Sequence, residues 1–164
     1  MAFYARVFCT SEAPPTIRTI LDGVRAVGFP ADAPDETAKA LDSPRWKEFE
    51  LFYRPDRASI LVECQRGTGK RSLCRETVRE EFNGIEDLDE FEGKRRVADV
   101  LRRTRFLVCC EILGDNTIAA LAELRPLLDY FVDHCGGLID VEDRGFYART
   151  GQPLLGRCVE DEGA

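Results

Sequence analysis

The residues whose spacing comes nearest to a chemical motif are those of one loop, Arg66-Gly67-Thr68-Gly69-Lys70-Arg71-Ser72. It follows a strand-like run and precedes a helical one. In that setting backbone N–H groups and a lysine can cradle phosphate. The phosphate-binding loop of nucleotide hydrolases needs a glycine five residues before its Gly-Lys pair and a serine or threonine directly after the lysine. Cys64 and Arg71 stand at those places, so the motif fails at both ends. What remains is a weak candidate anion site at Gly67, Thr68, Gly69, Lys70, Arg71 and Ser72.

Other reactive side chains are scattered. His134 is the only imidazole, and the adjacent Cys135 points about 100° away from it on a helix, so the two do not form a nucleophile–base pair. Seven cysteines give an odd count with no Cys-x-x-Cys spacing. That pattern argues against a zinc site and against a disulfide framework. Cys9, Cys64, Cys109 and Cys110 fall in strand-like runs, where a thiol behaves as a small hydrophobe. Among the carboxylates, Asp140, Glu142 and Asp143 read as outward positions of a hairpin. Glu63 and Glu111 sit inside strand-like segments and could face a concave surface. No residue set amounts to a catalytic site, a metal site or a cofactor site, and the chain reads as non-catalytic.

Charge narrows the partners. Thirty acidic residues against twenty-three lysines and arginines leave a net charge of −7, which disfavours a nucleic-acid polyanion. The basic stretch Lys94 to Arg105 follows the acidic run Glu86 to Glu92, and reads as a solvated helix that compensates it. No apolar run approaches the ~20 residues of a membrane helix, and no secretory signal opens the chain, so the expectation is a soluble cytoplasmic protein.

The elements that must position these side chains follow from periodicity. Phe3 to Cys9 alternates as a strand, with Phe3, Ala5, Val7 and Cys9 on one face and Tyr4, Arg6 and Phe8 on the other. Ile17, Ile20, Leu21 and Val24 recur at helical spacing after Pro14-Pro15, and Gly28 with Pro30 ends that helix. The segment Ala31 to Pro44 reads as an irregular loop. Trp46–Tyr53 and Ala58–Gln65 form a hairpin about Pro55. A helix opens at Ser72 and ends at Asn83-Gly84. Phe106 to Ile112 is the most apolar strand and the expected centre of the sheet. Thr117 to Cys135 is the longest helix, with a kink or interrupted turn at Pro126, and short strands follow from Leu138.

These elements compose one α+β domain over residues 1–159 with an acidic, mobile tail at 160–164. Its expected form is an antiparallel or mixed sheet of about six strands with helices packed on it. The order resembles the ferredoxin-like split βαβ pattern, possibly as a duplicated β-α-β-β unit. A shift of 101 residues superposes Val7 on Val108, Cys9 on Cys110, Thr16 on Thr117 and Ile17 on Ile118. Fold alone carries no function. The leading expectation is a protein-binding or self-associating module. Its aromatic strands need cover on both faces, which favours a homodimer over a monomer. The alternative is a small-ligand or anion-binding domain that uses residues 66–72.

Overall fold

The computed structural model describes residues 2–69, 72–113 and 117–156. Lys70, Arg71 and the tail 160–164 therefore lie outside the described residues. Strand β1 (Ala2–Cys9) leads to helix α1 (Ile17–Ala26), a short 3-10 helix (Asp35–Ala40), and the hairpin β2 (Glu48–Leu51) and β3 (Ile60–Arg66). Helices α2 (Leu73–Glu86) and α3 (Glu92–Arg103) precede β4 (Phe106–Leu113). Then come α4 (Thr117–Glu123), α5 (Arg125–Cys135), β5 (Leu138–Val141), β6 (Gly145–Arg149) and β7 (Gln152–Gly156). The fold is α+β, and the described strands make one antiparallel sheet of seven in the order β2-β3-β4-β1-β5-β6-β7.

That is one strand more than the sequence led us to expect, because residues 152–156 extend the β5–β6 hairpin into a third strand. The apolar strand β4 lies near the centre, between β3 and β1. Val7 and Val108, equated by the shift of 101 residues, sit directly opposite one another in the β1–β4 pair.

Helices cover the two faces unequally. On the first face Ala5, Val7 and Cys9 of β1 join Val108 and Cys110 of β4, all fully buried. Ile17, Ile20, Leu21 and Val24 of α1 and Leu127, Leu128 and Phe131 of α5 close over them. Thr16 caps α1 by accepting the Thr19 N–H at 3.2 Å. The segment expected to be an irregular loop completes this layer together with its flanks: Ala31 within it, and Phe29 and Trp46 on either side, are buried in the same core, and the Trp46 indole donates to the Pro15 carbonyl at 2.8 Å. The long helix is indeed interrupted, at Leu124, with Pro126 in the first turn of α5, where a missing N–H costs nothing.

Among the described residues the second face is roofed by α2 and α3 alone. Phe8, Leu107, Leu138 and Phe146 pack beneath Cys74, Ile85, Val97 and Leu101. Phe8, on the same strand face as Tyr4 and Arg6, is fully buried there. The acidic loop between the two helices is held from below. Lys94, read from the sequence as solvated, is buried and donates to the Glu86 carbonyl at 3.0 Å and the Leu88 carbonyl at 2.6 Å, and pairs with Glu90 at 2.9 Å. Burying an ammonium costs free energy, and three acceptors offset that cost.

Two glycines give opposite expectations. Helix α2 does not end at Asn83-Gly84 but runs through it to Glu86, and a Cβ added at Gly84 would meet nothing within 4 Å. Gly84→Ala should raise stability by about 0.5–1 kcal/mol through lower unfolded-state entropy. At Gly93 the added carbon would collide with the Leu154 carbonyl oxygen on β7, which is backbone and cannot step aside. Gly93→Ala should cost at least about 1 kcal/mol. Urea unfolding of both variants checks the pair. Equal effects would mean that α3 and β7 are not in close contact.

Candidate binding face

The roof over the second face stops part-way across the sheet, and the strand register shows which side chains it leaves bare. Residues directly opposite in antiparallel strands share a face. Glu48 lies opposite Glu63, Glu63 opposite Cys109, Cys109 opposite Arg6, and Arg6 opposite Asp140. One rung toward the start of β1, Glu50 faces Leu61, Leu61 faces Glu111, and Glu111 faces Tyr4. Glu142 closes that rung: its carboxylate accepts the Tyr4 N–H at 3.0 Å and its own N–H donates to the Tyr4 carbonyl at 3.1 Å. One rung the other way, Leu107, Phe8 and Leu138 are buried under α2 and α3.

Arg6 stands at the edge of the roof. Its Nε donates to Asp140 Oδ2 at 2.9 Å, and Nη2 reaches Glu81 of α2 at 2.6 Å. Its guanidinium carbon lies 5.6 Å from the centre of the Phe8 ring. Burial opposes the charge on Arg6, but Asp140 and then Glu81 outweigh it and raise the guanidinium pKa above its ordinary value. Asp140 is not the outward hairpin position that its sequence suggested: it is 0% exposed. Strand β5 is an inner strand between β1 and β6, so the alternation that would face water at an edge here faces the roof.

Beyond Arg6 the face is open and acidic. Glu63 and Glu111, the two carboxylates singled out from the sequence, are half-buried and do share this face. Tyr4 is 40% exposed, and Glu111 above all, with help from Glu142 and Glu63, pushes its phenol pKa upward. Tyr4, Arg6, Gln65, Thr77, Cys109 and Glu142 line a cleft of about 370 Å³. Past Glu111 a second depression of about 450 Å³ opens toward β2, lined by Glu36, Glu48, Glu50, Leu61 and Leu113 among others. The side-chain oxygen of Gln65 is buried in the first cleft, with no hydrogen-bond partner among the described residues.

This arrangement can hold a ligand, but it offers little to bond-making chemistry. Burial pushes the Cys109 thiol up to about 11, with Glu63, Glu111 and Asp140 adding to the rise and Arg6 opposing it. At neutral pH only about one such thiol in ten thousand is the nucleophilic thiolate. His134 lies away from the cleft on α5, its ring 4.5 Å from that of Tyr130. Among the described residues no group of three or more His, Cys, Asp or Glu side chains is placed to hold a metal ion.

The candidate anion loop is only partly described. Gly67 spends its N–H on the Arg105 carbonyl at 2.8 Å, and its own carbonyl accepts from Arg75 Nε at 2.5 Å. Ser72 donates to the Arg66 carbonyl at 2.7 Å and caps α2 by accepting the Arg75 N–H at 3.3 Å. Thr68 and Gly69 are exposed, and Lys70 and Arg71 lie outside the described residues. Sequence reasoning did not single out Tyr4, Arg6, Gln65, Thr77 or Cys109. The available signal was the alternation of β1, which sets an arginine and a tyrosine on the face opposite an unbroken apolar row.

Two outcomes are expected. Arg6→Met should destabilise the fold by about 3–5 kcal/mol, because it strips a buried carboxylate of its guanidinium, and the double change with Asp140→Asn should recover much of that loss. A double variant no more stable than the single one would mean that the pair is not the coupled unit described. The thiols set an alkaline limit. Cys64, Cys74 and Cys109 are each pushed up to about 11, chiefly by burial, so the folded chain keeps protons that the unfolded chain loses. Their contribution is intact below about pH 8.5 and is lost as pH rises toward about 11. Urea midpoints across that window should fall, and fall less in Cys64→Ala/Cys109→Ala. An unchanged slope in that variant would remove thiols as the cause.

Compared with protein-family models, with characterised proteins and with solved structures, the chain matches none.

Proposed function

We propose that this chain is a non-catalytic binding module whose contact surface is the bare part of the second sheet face, and that its partner is a protein. The observation that carries the reading is the unequal cover of the sheet: among the described residues, one face is closed by α1, α4, α5 and the 29–46 segment, whereas the other is roofed only as far as Arg6. An open sheet face with a half-exposed tyrosine and two adjoining depressions is a surface built for occupancy rather than for solvent. The protonated thiol in the cleft and the absence of an imidazole beside it support binding over catalysis.

A second copy of this chain fits the face poorly, because a two-fold contact would set its carboxylates against themselves. A homodimer, if formed, would use other surfaces. An anion site at Gly67–Ser72 is the weaker reading, since Gly67 and Ser72 spend their donors within the chain. The reading of the fold as a ferredoxin-like unit used twice belongs to the same proposal. It is supported by β1 and β4 lying side by side, each followed by helix and hairpin.

Affinity capture from an extract of the producing organism tests the face. Wild type and Val27→Asp, altered at an exposed position just past α1, should retain the same partner, and Tyr4→Ala should lose it while remaining folded by circular dichroism. Retention by Tyr4→Ala, loss only in Val27→Asp, or no partner at all would each remove the bare face as the contact surface.

A further inference from the structure

We infer that the occupant of the bare face is a basic protein segment, bearing lysine or arginine, laid across β1, β4, β3 and β2. The inference rests on the reading just given and names the partner's chemistry. Glu48, Glu50, Glu63, Glu111 and Glu142 stand along those strands and beside β1, and the described lining of the two depressions holds one cation, Arg6. That cation is already committed to Asp140 and Glu81. The face is therefore electronegative as presented, in a chain of net charge −7. Nucleic acid and anionic lipid are repelled, and a cationic chain is steered in.

Charge is not the only complementarity. Tyr4 at 40% and Leu113 at 53% exposure place apolar surface among the carboxylates. Lysine and arginine bury just such alkyl stems while their heads find acceptors, and a cation over a tyrosine ring gains further.

The segment lies over the face rather than extending the sheet. Edge strand β2 is four residues long, carries Glu48 and Glu50, and is prolonged by a bridge between Asp32 and Phe52. Edge strand β7 contains Pro153, which has no N–H to offer a further strand. Neighbouring strands lie about 4.8 Å apart, so the path from β5 to β2 is about 20 Å, the reach of six to eight extended residues.

A peptide of alternating lysine and alanine, about eight residues long to match that span, is the probe, read by fluorescence anisotropy and by amide chemical shifts. Binding should perturb Tyr4, Glu63 and Glu111 and weaken with added salt. Glu63→Gln and Glu111→Gln should each loosen it about three- to fivefold and together about tenfold or more, whereas Glu80→Gln on α2 should leave it unchanged. Shifts confined to other surfaces, or affinity indifferent to both glutamine variants, would overturn the inference. Spermidine bound as tightly at the same residues would also overturn it, in favour of a small polycation. A native partner that Tyr4→Ala releases but the glutamine variants retain would leave the face as the contact surface and remove the basic segment.

Discussion

Everything on the second face of the sheet is arranged around one buried charge pair. Asp140 is wholly enclosed, and an enclosed carboxylate persists only with a partner that reaches it. Arg6 supplies that partner from the neighbouring strand and also donates from Nη2 to Glu81 of α2. The ion pair thus ties the central strand, an inner strand of the C-terminal hairpin and one helix of the roof at a single point. On one side of it Phe8, Leu107, Leu138 and Phe146 are dry. On the other, Tyr4, Glu63 and Glu111 are wet. Two helices are too narrow to roof seven strands, and the guanidinium marks where their cover ends.

The position of that boundary explains why the face is acidic without being unstable. Its carboxylates fall on two rungs, Glu48 opposite Glu63 on one and Glu50, Glu111 and Glu142 on the next, and all are at least partly in solvent, where like charges are screened. Glu142 is held by the Tyr4 backbone, and Glu50 accepts from the Ser59 hydroxyl at 2.6 Å. Local hydrogen bonds thus fix at least two of the acidic side chains in place before any partner arrives, which lowers the entropy lost on binding.

Much of the fold was legible because strand and helix periods differ. The alternation of β1 sorted its residues correctly between two faces, and Pro126 broke the long helix where a proline must. The failures share a cause. Asp140 and Lys94 were read as solvated because both are charged, yet each is buried against groups 134 and six to eight residues away in sequence, respectively. Nothing local announces Arg6 as the partner of Asp140, and only the turn between α2 and α3 brings the Glu86 and Leu88 carbonyls to Lys94. Gly84 was read as a helix end, but the packing of Ile85 against Val97 and Leu101 carries α2 past it. The candidate face was half legible: Glu63 and Glu111 were noticed one at a time. Their meeting on one surface required the β3–β4–β1 register, which connects segments some fifty to a hundred residues apart.

That register also governs how the chain can be made. Strand β1 is the middle strand of the sheet, and its two neighbours are β4 and β5, which begin at residues 106 and 138. A ribosome adding about 5–20 residues per second needs roughly 5–20 seconds to travel from the end of β1 to the start of β4. Throughout that interval Val7, Phe8 and Cys9 have neither neighbouring strand to pair with, and shelter can come only from the helices and hairpin made before β4. The nascent chain carries its future centre as an unpaired strand, and its vulnerability to misassembly falls only once β4 and β5 have emerged.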